Sequence, residues 1–152
     1  MRIDFEHLKA EIENARAFLN FGAFGNGVSS EWIGIREREL GIAFPPSYKW
    51  WLQNYGGGEI NGEEVYSVFE IPLREVVGGD IVAMTDRQKG LEQDKIFVSQ
   101  PGTDEEFYFR PSEADSEGEM PVYVYDFLNG DASLYAQSFG EFLSKRIAFW
   151  SQ

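Results

Sequence analysis

The sequence contains no cysteine, a single histidine, and 13 basic against 26 acidic residues. Without cysteine the chain has no disulfide, no thiolate metal site and no cysteine nucleophile. His7 is the only candidate base for a Ser-His-Asp triad, and a surface histidine without a functional role is the simpler interpretation. A histidine-based metal site lacks ligands for the same reason. We therefore expect no enzyme activity, no cofactor and no bound metal.

Long apolar runs are also missing. No stretch approaches the roughly 18 to 20 consecutive apolar residues that a membrane span requires. The segment from Met1 to Glu6 lacks the apolar region of a signal peptide. We therefore expect a cytoplasmic protein with no membrane partner.

The shortage of basic residues leaves a net charge of -13 at pH 7. A field of this sign repels phosphate backbones and attracts basic partners, so direct binding of nucleic acid is disfavoured. Acidity that only keeps the protein in solution explains the charge equally well. A glycosidase would need two catalytic carboxylates, but with so many acidic residues the sequence does not identify such a pair. The acidic segment 126–131 does not have the ligand spacing of an EF-hand calcium loop.

Aromatic residues, in contrast, are abundant, with 13 Phe, 7 Tyr and 4 Trp among 152 residues. Burying so many of them argues against disorder. The chain contains no long polar linker, and its length suits one core. We therefore expect a single domain over residues 1–152.

Apolar residues near the N-terminus recur at three- and four-residue intervals, which predicts one face of a helix. They are Phe5, Leu8, Ile12, Ala15 and Leu19. Asp4 is the predicted N-cap. A glycine-rich loop follows at 22–27, and Ser29 or Ser30 is predicted to cap a second helix that ends at Leu40.

The segment from Glu39 to Gly58 organises the rest of the chain. Gly41 is predicted to close the second helix in the left-handed conformation, because glycine has no Cβ to clash there. Pro46 suits the first turn of a new helix. Four large residues then follow at helical spacing on one face: Tyr48, Trp51, Leu52 and Tyr55. The sequence thus predicts a short helix that buries a large aromatic surface.

Strands are predicted on both sides of a helix in the second half of the chain. Asn61-Gly62 predicts a hairpin whose second strand extends to Ile71, and Asp80 is the predicted cap of a helix at 81–89. Runs rich in β-branched and aromatic residues predict the later strands, at 95–99, 107–109, 122–125 and, after Asn129-Gly130, 134–135.

A closing helix is predicted from the capping box Ser138-Phe139-Gly140-Glu141. Helices segregated from a run of strands predict the α+β class. We expect a single domain with a largely antiparallel or mixed sheet of about five or six strands and helices packed on one face.

Two segments together resemble the signature of the SUKH superfamily, which includes the yeast cell-wall regulator Knr/Smi and many bacterial immunity proteins. They are Leu40-Gly41 with the later Pro46-x-Tyr48-Lys49-x-Trp51-Leu52, and Ala136-x-Ser138-Phe139-x-Glu141-Phe142-Leu143. Phe44 departs from the leucine that is common in the family. With the N-terminal helix and the late strands, the resemblance covers nearly the full chain and implies a SUKH-like fold.

The resemblance implies binding rather than catalysis. Bacterial members resemble immunity proteins that neutralise a secreted toxin, often a nuclease or deaminase, by one-to-one association. The size and lack of cysteine also look like an antitoxin of an LXG-type toxin. A nuclease presents basic groups to phosphates, so an inhibitor at -13 is electrostatically complementary to it. The alternative is a non-enzymatic scaffold or regulatory module for an endogenous partner, as in the eukaryotic relatives.

The predicted contact residues are one tryptophan and six carboxylates. Trp50 lies about 100° from Trp51 around its helix, so we expect it to be partly exposed, like an interface hot spot. Packing under the loop at 22–28 is an equally good interpretation of Trp50. The predicted carboxylates lie in two loops: Asp104, Glu105, Glu113, Asp115, Glu117 and Glu119.

Overall fold

The computed structural model describes residues 2–152. Its helices are α1 (Phe5–Asn14), α2 (Ser30–Leu40), α3 (Pro46–Tyr55), α4 (Ile81–Arg87) and α5 (Phe139–Trp150). Its strands are β1 (Leu19–Phe21), β2 (Gly58–Ile60), β3 (Glu63–Val65), β4 (Ile96–Ser99), β5 (Glu105–Phe109), β6 (Val122–Asp126) and β7 (Asp131–Ala136). Short 3₁₀ turns occupy Leu73–Glu75, Gly90–Gln93 and Pro111–Glu113.

The strands form two antiparallel sheets in chain order, β1-β2-β3 and β4-β5-β6-β7. The sheets meet where the Tyr66 amide donates to the Val98 carbonyl at 2.8 Å. Beside this bond the Ser99 hydroxyl donates to the Glu64 carbonyl at 2.7 Å. The predicted α+β class is confirmed, with seven strands over two sheets where about five or six were expected.

The additional strand is β1, which lies where the apolar spacing predicts the end of the first helix. α1 ends at Asn14, and Leu19 pairs with Ile60 of β2. The Arg16 guanidinium folds back and donates to the Phe21 carbonyl at 2.9 Å. Sheet pairing therefore overrides the helical spacing after Asn14, although Leu8 and Ile12 are buried as expected.

Helix α3 lies at the centre of the core, and its predicted buried face is confirmed. Tyr48, Trp51, Leu52 and Tyr55 are at most 1% exposed. The Tyr48 ring packs edge-on against Phe139 of α5 and Phe109 of β5, with centroids 5.0 and 5.7 Å apart. Its hydroxyl donates to the Tyr66 carbonyl at 2.6 Å. α3 thereby joins α5 and both sheets.

The chain between β3 and α4 is not the strand that the sequence predicts to Ile71. Within this segment, only Ser67 takes part in β-pairing, through an isolated parallel bridge to Asp80. The Arg36 guanidinium donates to the Phe69 and Ile71 carbonyls at 3.0 and 2.6 Å, so a buried cation replaces a neighbouring strand there. α4 then ends at Arg87, two residues before its predicted end.

The predicted helix starts and turns are largely confirmed. Asp4, Ser29, Asp80 and Ser138 each accept a hydrogen bond from a first-turn amide of their helix. The capping box differs in one bond, because the Glu141 carboxylate accepts from the Gln137 amide, one residue earlier than expected. The Asn61-Gly62 pair makes the first hairpin, with both residues at positive φ. None of the helices in residues 2–152 is long and apolar enough to cross a bilayer.

Candidate partner-binding surface

Asp104 and Glu105 lie at the first end of β5, beside the β6–β7 hairpin. Glu105 pairs in register with Asp126, which pairs with Asp131. The Phe127 amide donates to the Asp104 carbonyl at 2.9 Å. We call Asp104, Glu105, Asp126 and Asp131 the tip cluster.

The other predicted carboxylates lie in the loop that leaves the far end of β5. Glu113, Asp115 and Glu117, which we call the loop cluster, are exposed. One Asp115 oxygen accepts the Glu117 and Glu119 amides at 2.9 and 3.0 Å and so shapes the loop. Hydrogen bonds from the Tyr123 hydroxyl and the Arg110 guanidinium lower the pKa of Glu113, which therefore stays ionised.

The two clusters do not touch, because β5 separates them. From Asp104 to Arg110 an extended strand covers roughly 20 Å. The sheet face between them carries Lys95, whose ammonium lies 4.6 Å from the Tyr108 ring centroid and 3.2 Å from the Glu106 carboxylate. The surface is therefore acidic at both ends and aromatic, with a paired cation, in the middle.

Glu119 does not belong to this exposed surface, although the sequence grouped it there. It is 5% exposed, and its carboxylate accepts the Ser47 amide at 2.9 Å and the Ser47 hydroxyl at 2.8 Å. The Ser47 hydroxyl oxygen also accepts the Gly140 amide at 3.1 Å. Pro45 gives α3 no side-chain cap, so Glu119 caps that helix from a distant loop and ties it to α5. Burial raises the pKa of Glu119, against the hydrogen bonds from Ser47.

A groove of about 360 Å³ lies between the loop cluster and the last strand of the sheet. Glu113 and Asp115 line its acidic wall, and Pro121, Tyr123 and Leu134 line its apolar wall. The groove can accept a long basic side chain, whose stem would contact the apolar wall and whose charge would meet the carboxylates.

Trp50 combines the two interpretations that the sequence left open. Its ring stacks on Phe5 of α1 at 5.1 Å between centroids and lies 6.5 Å from Phe24 of the glycine-rich loop. Trp50 is nevertheless partly exposed, and Phe24 is exposed beside it. This aromatic group is a second surface that a partner could contact.

On the β6–β7 hairpin, the sequence also missed three exposed apolar residues. Phe127 and Leu128 at the hairpin tip are 53% and 79% exposed, and Leu134 on β7 is 47% exposed. The sequence Phe127-Leu128 could have indicated this exposure. Two large apolar residues directly before an Asn-Gly turn lie at the tip of a hairpin, away from the core.

His7 is exposed, with its imidazole 3.4 Å from Glu11 on the same helix. Across residues 2–152, no three His, Cys, Asp or Glu side chains are grouped so as to hold a metal ion.

Helices against a chain-ordered antiparallel meander, closed by a capped C-terminal helix, define an α+β domain of the SUKH type. The chain belongs to the SMI1-KNR4 cell-wall family (SUKH_6), whose sequence model matches residues 30–143, three quarters of its length. The match contains both segments that carry the sequence resemblance and all of β2 to β7. α1 and β1 lie before it.

Proposed function

We propose that this protein is an immunity protein that binds and neutralises a cognate toxin, a basic nuclease, in the cytoplasm. The observation that carries the proposal is the placement of the tip and loop clusters at the two ends of one sheet, in a chain of this family. Together the clusters comprise Asp104, Glu105, Glu113, Asp115, Glu117, Asp126 and Asp131.

Electrostatics supports a basic partner. A nuclease active site presents cations to phosphates, and a chain with a net charge of -13 attracts such a surface over several ångströms. The two clusters direct that charge to the ends of the sheet, and the groove beside the loop cluster suits a lysine or arginine side chain. Trp50 remains a proposed contact on a separate surface.

Co-expression with the C-terminal domain of the toxin encoded beside this chain's gene tests the proposal. We expect the cells to survive and the two proteins to co-purify in a one-to-one complex. Continued cell death without co-purification would overturn the proposal.

A regulatory binding module is the second candidate, because the matched family is described as a cell-wall family. In that case the chain would co-purify with a protein of its own cell and give no protection against a toxin. The same co-expression experiment therefore separates the two candidates.

A further inference from the structure

The strand β7 is the open edge of the four-stranded sheet. Strand order places it outside β6 with no further partner among residues 2–152. The opposite edge, β4, is occupied, since the Phe97 amide donates to the Thr85 hydroxyl at 3.0 Å and the Val98 carbonyl accepts from Tyr66. An edge strand presents unpaired amides and carbonyls that another strand can use.

The features of β7 that protect edge strands lie at its two ends, where Asp131 is charged and the pairing register shifts beside Tyr135. Its sequence, Asp-Ala-Ser-Leu-Tyr-Ala, contains no proline and no lysine. The side-chain hydrogen bond to its backbone within the described residues comes from Lys145 to the Tyr135 carbonyl, at one end of the strand. The stretch from Asp131 to Leu134 is exposed. Most of the edge is therefore accessible.

Apolar and acidic side chains surround this edge. Phe127 and Leu128 lie at the hairpin tip, and Leu134 lies beside the groove. The tip cluster lies at one end of β7, through the pairing of Asp126 with Asp131. The loop cluster lies towards the other end, across the groove that Leu134 lines. A strand laid along β7 would thus run from one acidic cluster to the other.

We propose that β7 accepts, by strand addition, an extended segment of the partner that carries basic side chains towards both of its ends. The inference rests on the proposed function for the identity of the partner. Backbone hydrogen bonds to the edge provide affinity in this mode of recognition, and side chains that match the flanking groups provide specificity. In this arrangement β7, which runs between the two acidic clusters, makes them parts of one binding surface.

A second copy of this chain fits the edge less well. Antiparallel pairing of two β7 strands would bring the tip cluster of each copy towards the loop cluster of the other, and parallel pairing would bring like clusters together. Both arrangements oppose carboxylates in molecules that each carry a net charge of -13. A basic segment removes this repulsion.

The test uses a fluorescein-labelled peptide, Lys-Lys-Val-Thr-Val-Thr-Val-Lys-Lys, in fluorescence anisotropy titrations. A companion peptide carries N-methyl groups on every backbone nitrogen of its central Val-Thr-Val-Thr-Val segment, so it keeps the charges and has no N–H donor for the edge on either of its own sides. We expect the companion to bind the unaltered protein at least about tenfold more weakly. Equal binding of the two peptides, or no binding of either, would overturn strand addition.

A matched pair of variants tests the location. Ala132→Lys places a cation on the exposed edge, and Ala10→Lys makes the same change on the exposed side of α1. We expect Ala132→Lys to weaken binding of the parent peptide about tenfold and Ala10→Lys to change it less than about twofold. Equal effects, or a dimer of the wild-type chain that Ala132→Lys dissociates, would overturn the assignment to a partner segment.

The toxin experiment separates this inference from the proposed function. If the wild-type chain does not protect cells but the peptide results hold, the proposed function fails and the edge site stands. If the wild-type and Ala132→Lys chains protect equally and the peptide results fail, only the edge site is overturned.

Discussion

Arg36 and Asp80 form an ion pair in which neither side chain is exposed to solvent. The Arg36 Nε lies 2.8 Å from the Asp80 carboxylate. The same carboxylate accepts the Phe69, Val82 and Ala83 amides, so it also caps α4. This pair holds α2, the 67–71 segment and α4 together.

Asp80→Ala should destabilise the fold by about 3–5 kcal/mol, because it leaves the Arg36 cation buried without its principal partner. Glu39→Ala is the matched control, since Glu39 contacts the same guanidinium at 2.9 Å from a partly exposed position. That change should cost no more than about 1 kcal/mol. Urea unfolding measures both, and similar losses for the two variants would contradict the assignment.

Glu119 links stability to pH because burial raises its pKa in the folded protein. Folding then favours the protonated form. The associated stability is fully present below the unfolded pKa, about 4.3, and is lost as the pH rises through the raised folded pKa.

The variant Glu119→Gln isolates this effect, since its side chain stays neutral at every pH. We expect the unfolding free energy of the wild type, relative to the variant, to decrease as the pH is raised from about 4 to about 7. Chemical denaturation at a series of pH values measures the difference. A difference that rises with pH, or stays flat, would contradict the predicted direction.

At the scale of elements, α1 and β1 lie outside the matched residues 30–143 but contribute to the core. Leu8 and Ile12 of α1 and Leu19 and Phe21 of β1 are buried in it. We propose that residues 1–152 form one folding unit. Burying four such side chains contributes roughly 6–12 kcal/mol, which is comparable to the whole stability of a typical domain.

A chain that begins at residue 22 should therefore not unfold cooperatively. Removal of the exposed residues 151–152 is the control and should leave the thermal transition unchanged within about 2 °C. Circular dichroism melting measures both. A cooperative transition in the shorter chain would show that the N-terminal elements are an addition to a self-sufficient domain.

The elements that sequence predicted well are those that local chemistry specifies. α3 begins at Pro46 and ends before Gly56, which adopts the left-handed conformation with φ at 77°. The hairpin at Asn61-Gly62 likewise follows from two residues that tolerate positive φ. These features need no knowledge of distant residues.

The elements that sequence missed depend on contacts between distant residues. β1 forms because β2 lies beside it. The 67–71 segment is not a strand because the Arg36 guanidinium donates hydrogen bonds to the carbonyls of Phe69 and Ile71. In the sequence, Glu119 looks like one more charge in a polar loop. In the structure it is buried, because its carboxylate accepts a hydrogen bond from the amide of Ser47, 72 positions away. The same limit applied to the site, since only the sheet order shows that β7 is an open edge between the acidic clusters.

At the scale of the whole molecule, helices and sheets form a scaffold that holds two acidic clusters a fixed distance apart. The core aromatic residues of α3 and α5 pack against β5, and β5 sets the separation of the clusters. In the proposed complex, this fixed separation would reduce the conformational entropy lost when a partner contacts both clusters at once.

The association rate constant with the toxin domain, measured by stopped-flow, tests the central claim most directly. One variant neutralises three carboxylates of the clusters, by Asp104→Asn, Glu105→Gln and Glu117→Gln. A second variant neutralises three exposed carboxylates elsewhere, by Glu31→Gln, Glu75→Gln and Glu92→Gln. Both remove the same number of negative charges, so only their position differs.

At low ionic strength we expect the cluster variant to associate about tenfold more slowly than the wild type and the second variant to stay within about twofold. The difference should shrink as the ionic strength approaches about 0.15 M, where the Debye length falls to about 8 Å. Equal rates for the two variants, or a wild-type rate that does not change with salt, would contradict an acidic surface that guides the toxin to this protein.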